Sequence, residues 1–500
     1  MTLRMQALSA AISAGGLTVL MALLGPLQGL AAAVALLGVA AILIWPFLGV
    51  VGIIFAGTCL QIVGSSDLVG LPMSLGKLLG LVTLGSWLLH LIKRRPAFTL
   101  TPQLYPLALL LLVVTLSMLL TPLRQGGGDM RLALDGLFRI AQVYLLYVLL
   151  ANIAGESRGV FAIVTISVMV AISVSGIISI CEYFIPWLTI ADGKEASALG
   201  AVIDSHSIPG IEIRKVSGGI GDSNLLAFTV ATAFPLNIYF WRQFPGLLPR
   251  CLTLLACGLL LAGLLFSYTR GGVIGLGCAV IYLLWKRRLP FKSLVVAGLL
   301  ASVVGIFWMP TGFAERMFSV KYLKEGESTS ARRELILAGV YAFQQAPFFG
   351  HGYGQFGNEY LKYIRQVPSS PWSNEIERSI NSGREEVQNV ITHNLYLELA
   401  VEYGLAGLLP FLAFVVLVFY DLAHIEKSGS KADADLAVCF AAMLICFMVC
   451  AVFGSLKVQK ILWIVAGLSA ALRRLSITEA SENNSARALH TSPPALTKEP

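Results

Sequence analysis

Charge is scarce in this chain. Asp, Glu, Lys and Arg make up 13% of it, where a soluble globular protein carries about 25%. That excludes a soluble globular fold before any motif is considered. Cysteine contributes little chemistry. The eight cysteines (Cys59, Cys181, Cys251, Cys257, Cys278, Cys439, Cys446 and Cys450) lie in apolar runs or at their ends. No CxxC pair or Cys/His cluster has zinc-ligand spacing, so they read as small buried hydrophobes. Cysteine-free polar loops suit an oxidising outer compartment. The net charge of +8 does not point to nucleic acid, because its cations cluster between apolar runs, as topology signals do.

Hydrophobic residues fill the space that charge leaves. They make up 56% of the chain, and the mean hydropathy is +0.78. The expected fold is an all-α polytopic membrane protein. A span needs about 20 mostly apolar residues. Such runs occur near 5–25, 27–45, 47–64, 74–92, 104–121, 134–152, 159–180, 224–241, 250–267, 270–286, 291–309, 394–420, 436–453 and 459–473. Only Pro26 and Trp45-Pro46 separate the first three, which leaves twelve to fourteen spans. Arg4 and the apolar run after it have the pattern of a signal peptide. Further spans follow at once, so 5–25 is read as an uncleaved first span.

Short-loop cations orient the spans. Lys93-Arg94-Arg95, Arg158, Arg242 with Arg250, Lys286-Arg287-Arg288 with Lys292, Lys427 with Lys431, and Arg473-Arg474 fall on one side when the spans alternate. That side is expected to be the cytoplasm, with both termini on it. The chain then divides into a transmembrane bundle over 1–309, a large outer loop over 310–392, C-terminal spans over 393–475 and a disordered cytoplasmic tail over 476–500. The tail is rich in Ser, Asn, Ala and Pro. Smaller outer segments are Thr121–Ala133 and 188–223. A polar insertion as long as 310–392 is usually functional. Within it, Ser330 is placed to cap a helix through Gln345, with Leu335, Ile336, Ala338, Gly339, Ala342 and Phe343 as its apolar stripe. That helix is expected to lie on the membrane surface or pack over the spans.

Some cations depart from the one-sided pattern: Lys77, Arg139, Arg214, Lys215, Arg270, Lys457 and Lys460 fall at outer ends of spans. Ionisable groups at such depth tend to mark a function. Converging on one face, they suit an anion such as a diphosphate, whereas singly each suits snorkelling. Arg270 stands out because Gly271-Gly272 follow it, letting backbone amides also face an anion. The glycine-rich run Gly218–Asn224 lacks the GK[ST] ending of a Walker A loop and reads as a turn into a span, with Asp222 or Ser223 as cap.

The stretch Thr392–Gly407 marks the return from loop to membrane. His393 can take a proton near neutral pH, or it and Asn394 can serve as an interfacial residue and a helix cap. Asn394, Glu398 and Glu402 follow at i, i+4 and i+8 and share a face if the segment is helical. His351 and His206 are weaker rivals for a general base.

His393-Asn394, nine residues, Gly404, two residues and Gly407 resemble the signature of bacterial O-antigen ligases and the related O-antigen and exopolysaccharide polymerases. GGIGDSNLLAF (218–228), SYTRGG (267–272) and ARRELILAGVYAFQQAPFFGHGYGQF (331–356) are similar to family segments in the same order. The resemblance spans roughly 210–420. It implies transfer of a glycan from undecaprenyl diphosphate to an acceptor hydroxyl, either a growing glycan or lipid A-core, at the periplasmic face of the bacterial inner membrane. It implies no metal and no cofactor. It casts His393 as the base and Arg270 as a diphosphate ligand. A second ligand is Arg214 or Lys215, and Asn394, Glu398 and Glu402 are supporting residues. Ligase and polymerase are not separated by these motifs. The rival reading is a secondary transporter or flippase of lipid-linked oligosaccharide, which many spans and intramembrane charges also suit; no internal repeat supports it.

Overall fold

The computed structural model describes residues 26–59, 74–94, 98–125, 130–185, 189–190, 201–208, 211–289, 313, 327–366, 371–382, 387 and 390–491. Its first helices are α1 (Pro26–Ile44), α2 (Pro46–Thr58), α3 (Leu75–Arg94), α4 (Leu104–Gln125), α5 (Met130–Ile153) and α6 (Arg158–Phe184). Three strands follow, β1 (Thr189–Ile190), β2 (Ala201–Ile208) and β3 (Ile211–Lys215). Next come α7 (Ser223–Gln243), α8 (Leu247–Phe266) and α9 (Arg270–Trp285), then the loop helices α10 (Glu327–Gln345), α11 (Phe356–Ile364) and α12 (Pro371–Asn381). The chain ends with α13 (Leu395–Ser428), α14 (Lys431–Cys450) and α15 (Lys460–Thr491). Eight of these helices are long and apolar enough to cross a membrane, and shorter apolar helices lie at Val34–Ile44, Pro46–Thr58, Leu104–Leu119 and Arg270–Trp285. The protein is an all-α polytopic membrane protein with a partly helical loop. The spans expected at 5–25 and 291–309 lie outside the described residues.

Packing sorts helices of similar composition. α14 is apolar on every side beyond its first turn, the pattern of a helix surrounded by others. It packs against α7, α9, α13 and α15, and 83% of its apolar window is buried. α8 is also almost wholly apolar, yet only 28% of it is buried. Its Leu247, Leu248, Leu252, Leu254 and Leu255 face outward, as a lipid-facing helix requires.

One end of the bundle collects the short-loop cations. Arg158 bonds Asp433 and Glu479 at 2.6 Å each, Lys286 bonds Glu426 at 2.7 Å, and Arg242 and Arg288 share Asp435 at 3.1 and 2.6 Å. These pairs join the starts of α6 and α14 to the ends of α7, α9 and α13 and to the second half of α15. We call this the basic end. The opposite end carries β1–β3, α10–α12 and the starts of α7, α9 and α13.

The 188–223 segment holds a small sheet of order β1-β2-β3, with β1 parallel and β3 antiparallel to β2, a local addition to the helical fold. Two expectations need correction. α10 begins at Glu327, so Ser330 lies inside it rather than capping it. The tail read as disordered from 476 continues α15 to Thr491. Its first turn is held by Ser476 on Asp433 and by Glu479 on Arg158, contacts that composition does not reveal.

Candidate active site

Three helices begin together at the end opposite the basic one. Asp222 caps α7, its carboxylate accepting from Leu225 N at 2.8 Å. Thr269 precedes α9 and donates through its hydroxyl to Asn224 Oδ1 at 3.3 Å, which ties the SYTRGG turn to the start of α7. Asn394 caps α13, accepting from Leu397 N at 3.0 Å. The end of α14 links the last two. Cys450 Sγ donates to Gly271 O at 3.6 Å, and Leu395 N donates to Ala451 O at 2.8 Å. Arg270, first residue of α9, and His393, just before α13, therefore belong to one cluster of helix starts. Such starts carry partial positive charge and exposed N–H groups, which favour an anion.

His393 adopts a left-handed backbone, φ 51°, uncommon for a residue with a side chain. Its ring is mostly buried and has no hydrogen-bond partner among the described residues. Burial, and then the nearby Arg332 guanidinium, push its pKa below the ordinary histidine range, against the pull of Asp222 and Glu398. The imidazole is thus kept neutral and able to accept a proton. Arg332 lies on α10, which packs on the first turns of α13 through Gly339 against Leu397 and through a core of Leu335, Ala338, Ala342 and Val401. The helix expected to lie on the membrane or over the spans therefore packs on a span. Ile336 is exposed and leaves its apolar stripe.

Glu398 and Glu402 share a face, as their spacing predicts, and meet on Lys457. Lys457 Nζ lies 2.9 Å from Glu398 Oε1 and 2.5 Å from Glu402 Oε2, with the Tyr353 ring 4.3 Å away. Burial disfavours its charge, but the two glutamates prevail and hold its pKa above the usual lysine value. Glu402 also accepts from Gly354 N at 2.9 Å. Asn394 is committed to its cap and does not reach this group by any bond among the described residues.

The first glycine of the signature, Gly404, has a backbone explanation. At Gly404 the helix breaks, with φ 63° and ψ −162°, a region essentially restricted to glycine. The loop repairs the break. Leu405 N and Ala406 N donate to Pro347 O and Phe348 O at 2.8 and 3.0 Å, while His351 N and Gly352 N donate to Val401 O and Glu402 O at 2.8 and 2.9 Å. Four groups that a continuous helix would pair internally are paired with the loop instead. A Cβ on Gly404 would strike the Phe348 carbonyl, and one on Gly350 the Glu402 carbonyl. Gly404→Ala is expected to lower stability by about 1–3 kcal/mol for the backbone alone, read as a depressed melting midpoint in detergent.

The remaining candidates separate. His351 is a structural residue. Its Nε2 donates to Ala342 O at 2.8 Å, and its Nδ1 faces Glu359 at 3.4 Å. The His206 side chain lies outside the described residues. Arg214, on β3, donates to Ile185 O at 2.6 Å, and its buried Nε has no partner among the described residues. Lys215 follows it at the strand's end and has contacts of its own. Asp433 and Asp435 have the DxD spacing of many metal sites, but both bind guanidinium groups at the basic end.

Sequence reasoning overlooked Glu182, Arg332 and Tyr353. Glu182 is fully buried in α6 and holds the glycine-rich turn, accepting from Ser217 N at 2.7 Å and Gly218 N at 2.9 Å. A carboxylate inside an apolar run was itself a signal. Arg332 and Tyr353 left no such mark.

Fold and cluster together give a many-span membrane protein with a candidate site at one end, where Arg270 and His393 lie at neighbouring helix starts. The family model described as O-antigen ligase matches residues 255–412, from within α8 through the loop to within α13. On that stretch, about a third of its length, the chain is similar to the O-antigen ligase family. Arg270 and His393 lie inside the match; the 218–228 turn, Arg214 and Lys215 precede it. No curated protein matches the chain.

Proposed function

We propose that this protein is an inner-membrane glycosyltransferase that moves a glycan from undecaprenyl diphosphate to an acceptor hydroxyl on the periplasmic face. The carrying observation is that Arg270 and His393, far apart in sequence, flank the same junction of α9, α13 and α14. The cation-rich basic end favours a cytoplasmic side, which leaves the site outside.

Arg270 and the starts of α7 and α9 hold the diphosphate, with Arg214 or Lys215 as the second cation. His393 takes the proton of the acceptor hydroxyl. The acceptor oxygen bonds the anomeric carbon, and the carbon–oxygen bond to the diphosphate breaks with its electron pair leaving on the diphosphate. Guanidinium groups stabilise the charge developing there, so the reaction as written requires neither metal nor cofactor. The acceptor is a glycan chain end or lipid A-core.

The test is transfer by purified protein in nanodiscs, with an undecaprenyl-diphosphate glycan and each acceptor. Arg270→Ala is expected to lower turnover by about 10²–10³-fold, the loss typical of removing one charge-stabilising donor. Full turnover in that variant overturns the assignment of Arg270. Movement of glycan across a bilayer with no new glycosidic bond makes the protein a flippase instead.

A further inference from the structure

Two of the cations at outer ends of spans have no role in the site above. Lys460 is the first residue of α15, and Lys77 lies in the first turn of α3. Neither makes a hydrogen bond or an ion pair among the described residues. The Lys460 side chain crosses the last turn of α2 at Gly57 and reaches towards the start of α3. A Cβ on Gly57 would strike its Cδ and stand 3.0 Å from its Nζ, and one on Gly76 would stand 3.7 Å from Nζ. The side chain is largely enclosed but not sealed off, and Lys77, beside Gly76, is exposed. On the inner side, a Cβ on Gly219 would strike the Cys59 carbonyl at the end of α2, and Gln459 Nε2 donates to Thr229 Oγ1 on α7 at 3.0 Å.

An ammonium held in such a place is costly unless an anion meets it. The last carbonyls of α2 favour a cation, whereas the starts of α3 and α15 disfavour one, so the helix ends do not supply the missing charge. The setting says where an anion comes from. Only 17% of α3's apolar window is buried, and its Leu78 and Leu81 face outward. The cleft between α2, α3 and α15 therefore lies at the lipid-facing rim of the bundle, at the end opposite the basic one. We propose that Lys460, with Lys77 at the rim, binds the phosphate of a lipid in the leaflet on that side. An ammonium is a point charge with three donors, and it accepts a phosphate in many orientations. The phosphate belongs to a phospholipid or to a polyprenyl diphosphate; the recognition is the same, and it does not depend on the transferase reading.

The experiment reads lipid retained by the full-length protein in native mass spectrometry, after addition of phosphatidylglycerol, undecaprenyl diphosphate or the phosphate-free diacylglycerol. Lys460→Met is expected to lower retention of a phosphate-bearing lipid roughly tenfold, the loss typical of one charged hydrogen bond, and to leave diacylglycerol unchanged. A loss confined to phosphatidylglycerol makes the ligand a phospholipid, and one confined to undecaprenyl diphosphate makes it the polyprenyl carrier; either supports the site. Gly57→Ala keeps both lysines and suits a helix, but its methyl displaces the Lys460 side chain, so it should lose the same lipid. Unchanged retention in both variants overturns the proposal. So does displacement of the lipid by an equal concentration of inorganic phosphate, which makes the ligand a soluble anion. Without added lipid, the melting midpoint of Lys460→Met is expected to hold or rise, because an uncompensated charge is gone. A fall shared with Asp67→Asn, with lipid retention intact, makes Lys460 half of an internal ion pair and overturns the proposal.

Discussion

His393→Ala is expected to lower glycan transfer by roughly 10²–10⁴-fold, the range for removing a general base, with little change in melting midpoint. The ring has no hydrogen-bond partner among the described residues, so deleting it breaks no hydrogen bond among them. The backbone at φ 51° strains any residue with a Cβ, which makes His393→Asn the better-controlled variant, because Asn tolerates that conformation. Equal losses in both variants then report chemistry rather than folding. The wild-type pH profile carries the complementary signature. Burial and Arg332 depress the His393 pKa, and a protonated ring cannot act as base. The rate should therefore hold as pH falls through the ordinary histidine range near 6.5 and drop only below it. A profile falling above that range argues against His393 as the base.

Lys457→Met is expected to be the most damaging single change to the fold. It leaves Glu398 and Glu402 buried, 5% and 2% exposed, with no cation between them. Removing one partner of a buried ion pair costs about 3–5 kcal/mol, and here two carboxylates lose the same partner. The expected result is poor yield or a melting midpoint depressed by many degrees. The triple variant Lys457→Met, Glu398→Gln, Glu402→Gln is expected to recover most of that loss, because no uncompensated charge remains. Failure of the triple variant to recover would show that Lys457 acts through its packing on Tyr353 rather than through charge.

Membership of the membrane class was legible from composition, because lipid imposes long apolar helices whatever the function. The expected spans at 436–453 and 459–473 were equally legible, but not which would be central, since α14 and the lipid-facing α8 read almost alike. At the site, His393, Arg270 and the glutamate pair were visible because each breaks an apolar or helical pattern locally. Their meeting was not, because it depends on backbone links such as Leu395 N to Ala451 O that leave no trace in residue type. Lys457 was noticed only as a misplaced cation; its two partners lie more than fifty residues away, at separations of 59 and 55. Asn394 shows the converse. Read as a supporting group, it serves as the cap that its residue type ordinarily favours.

The exchange of four backbone bonds between 347–352 and 401–406 has a consequence for anyone building hybrids of this protein. Loop and span are stitched into one unit, so the loop is not a cassette. A graft cut at the ends of 310–392 would join a foreign 347–352 to the native break at Gly404 and leave the amides and carbonyls of the seam mismatched. A hybrid that keeps the seam intact requires a single transplant that carries both of its halves, from before Glu327 to beyond Gly407.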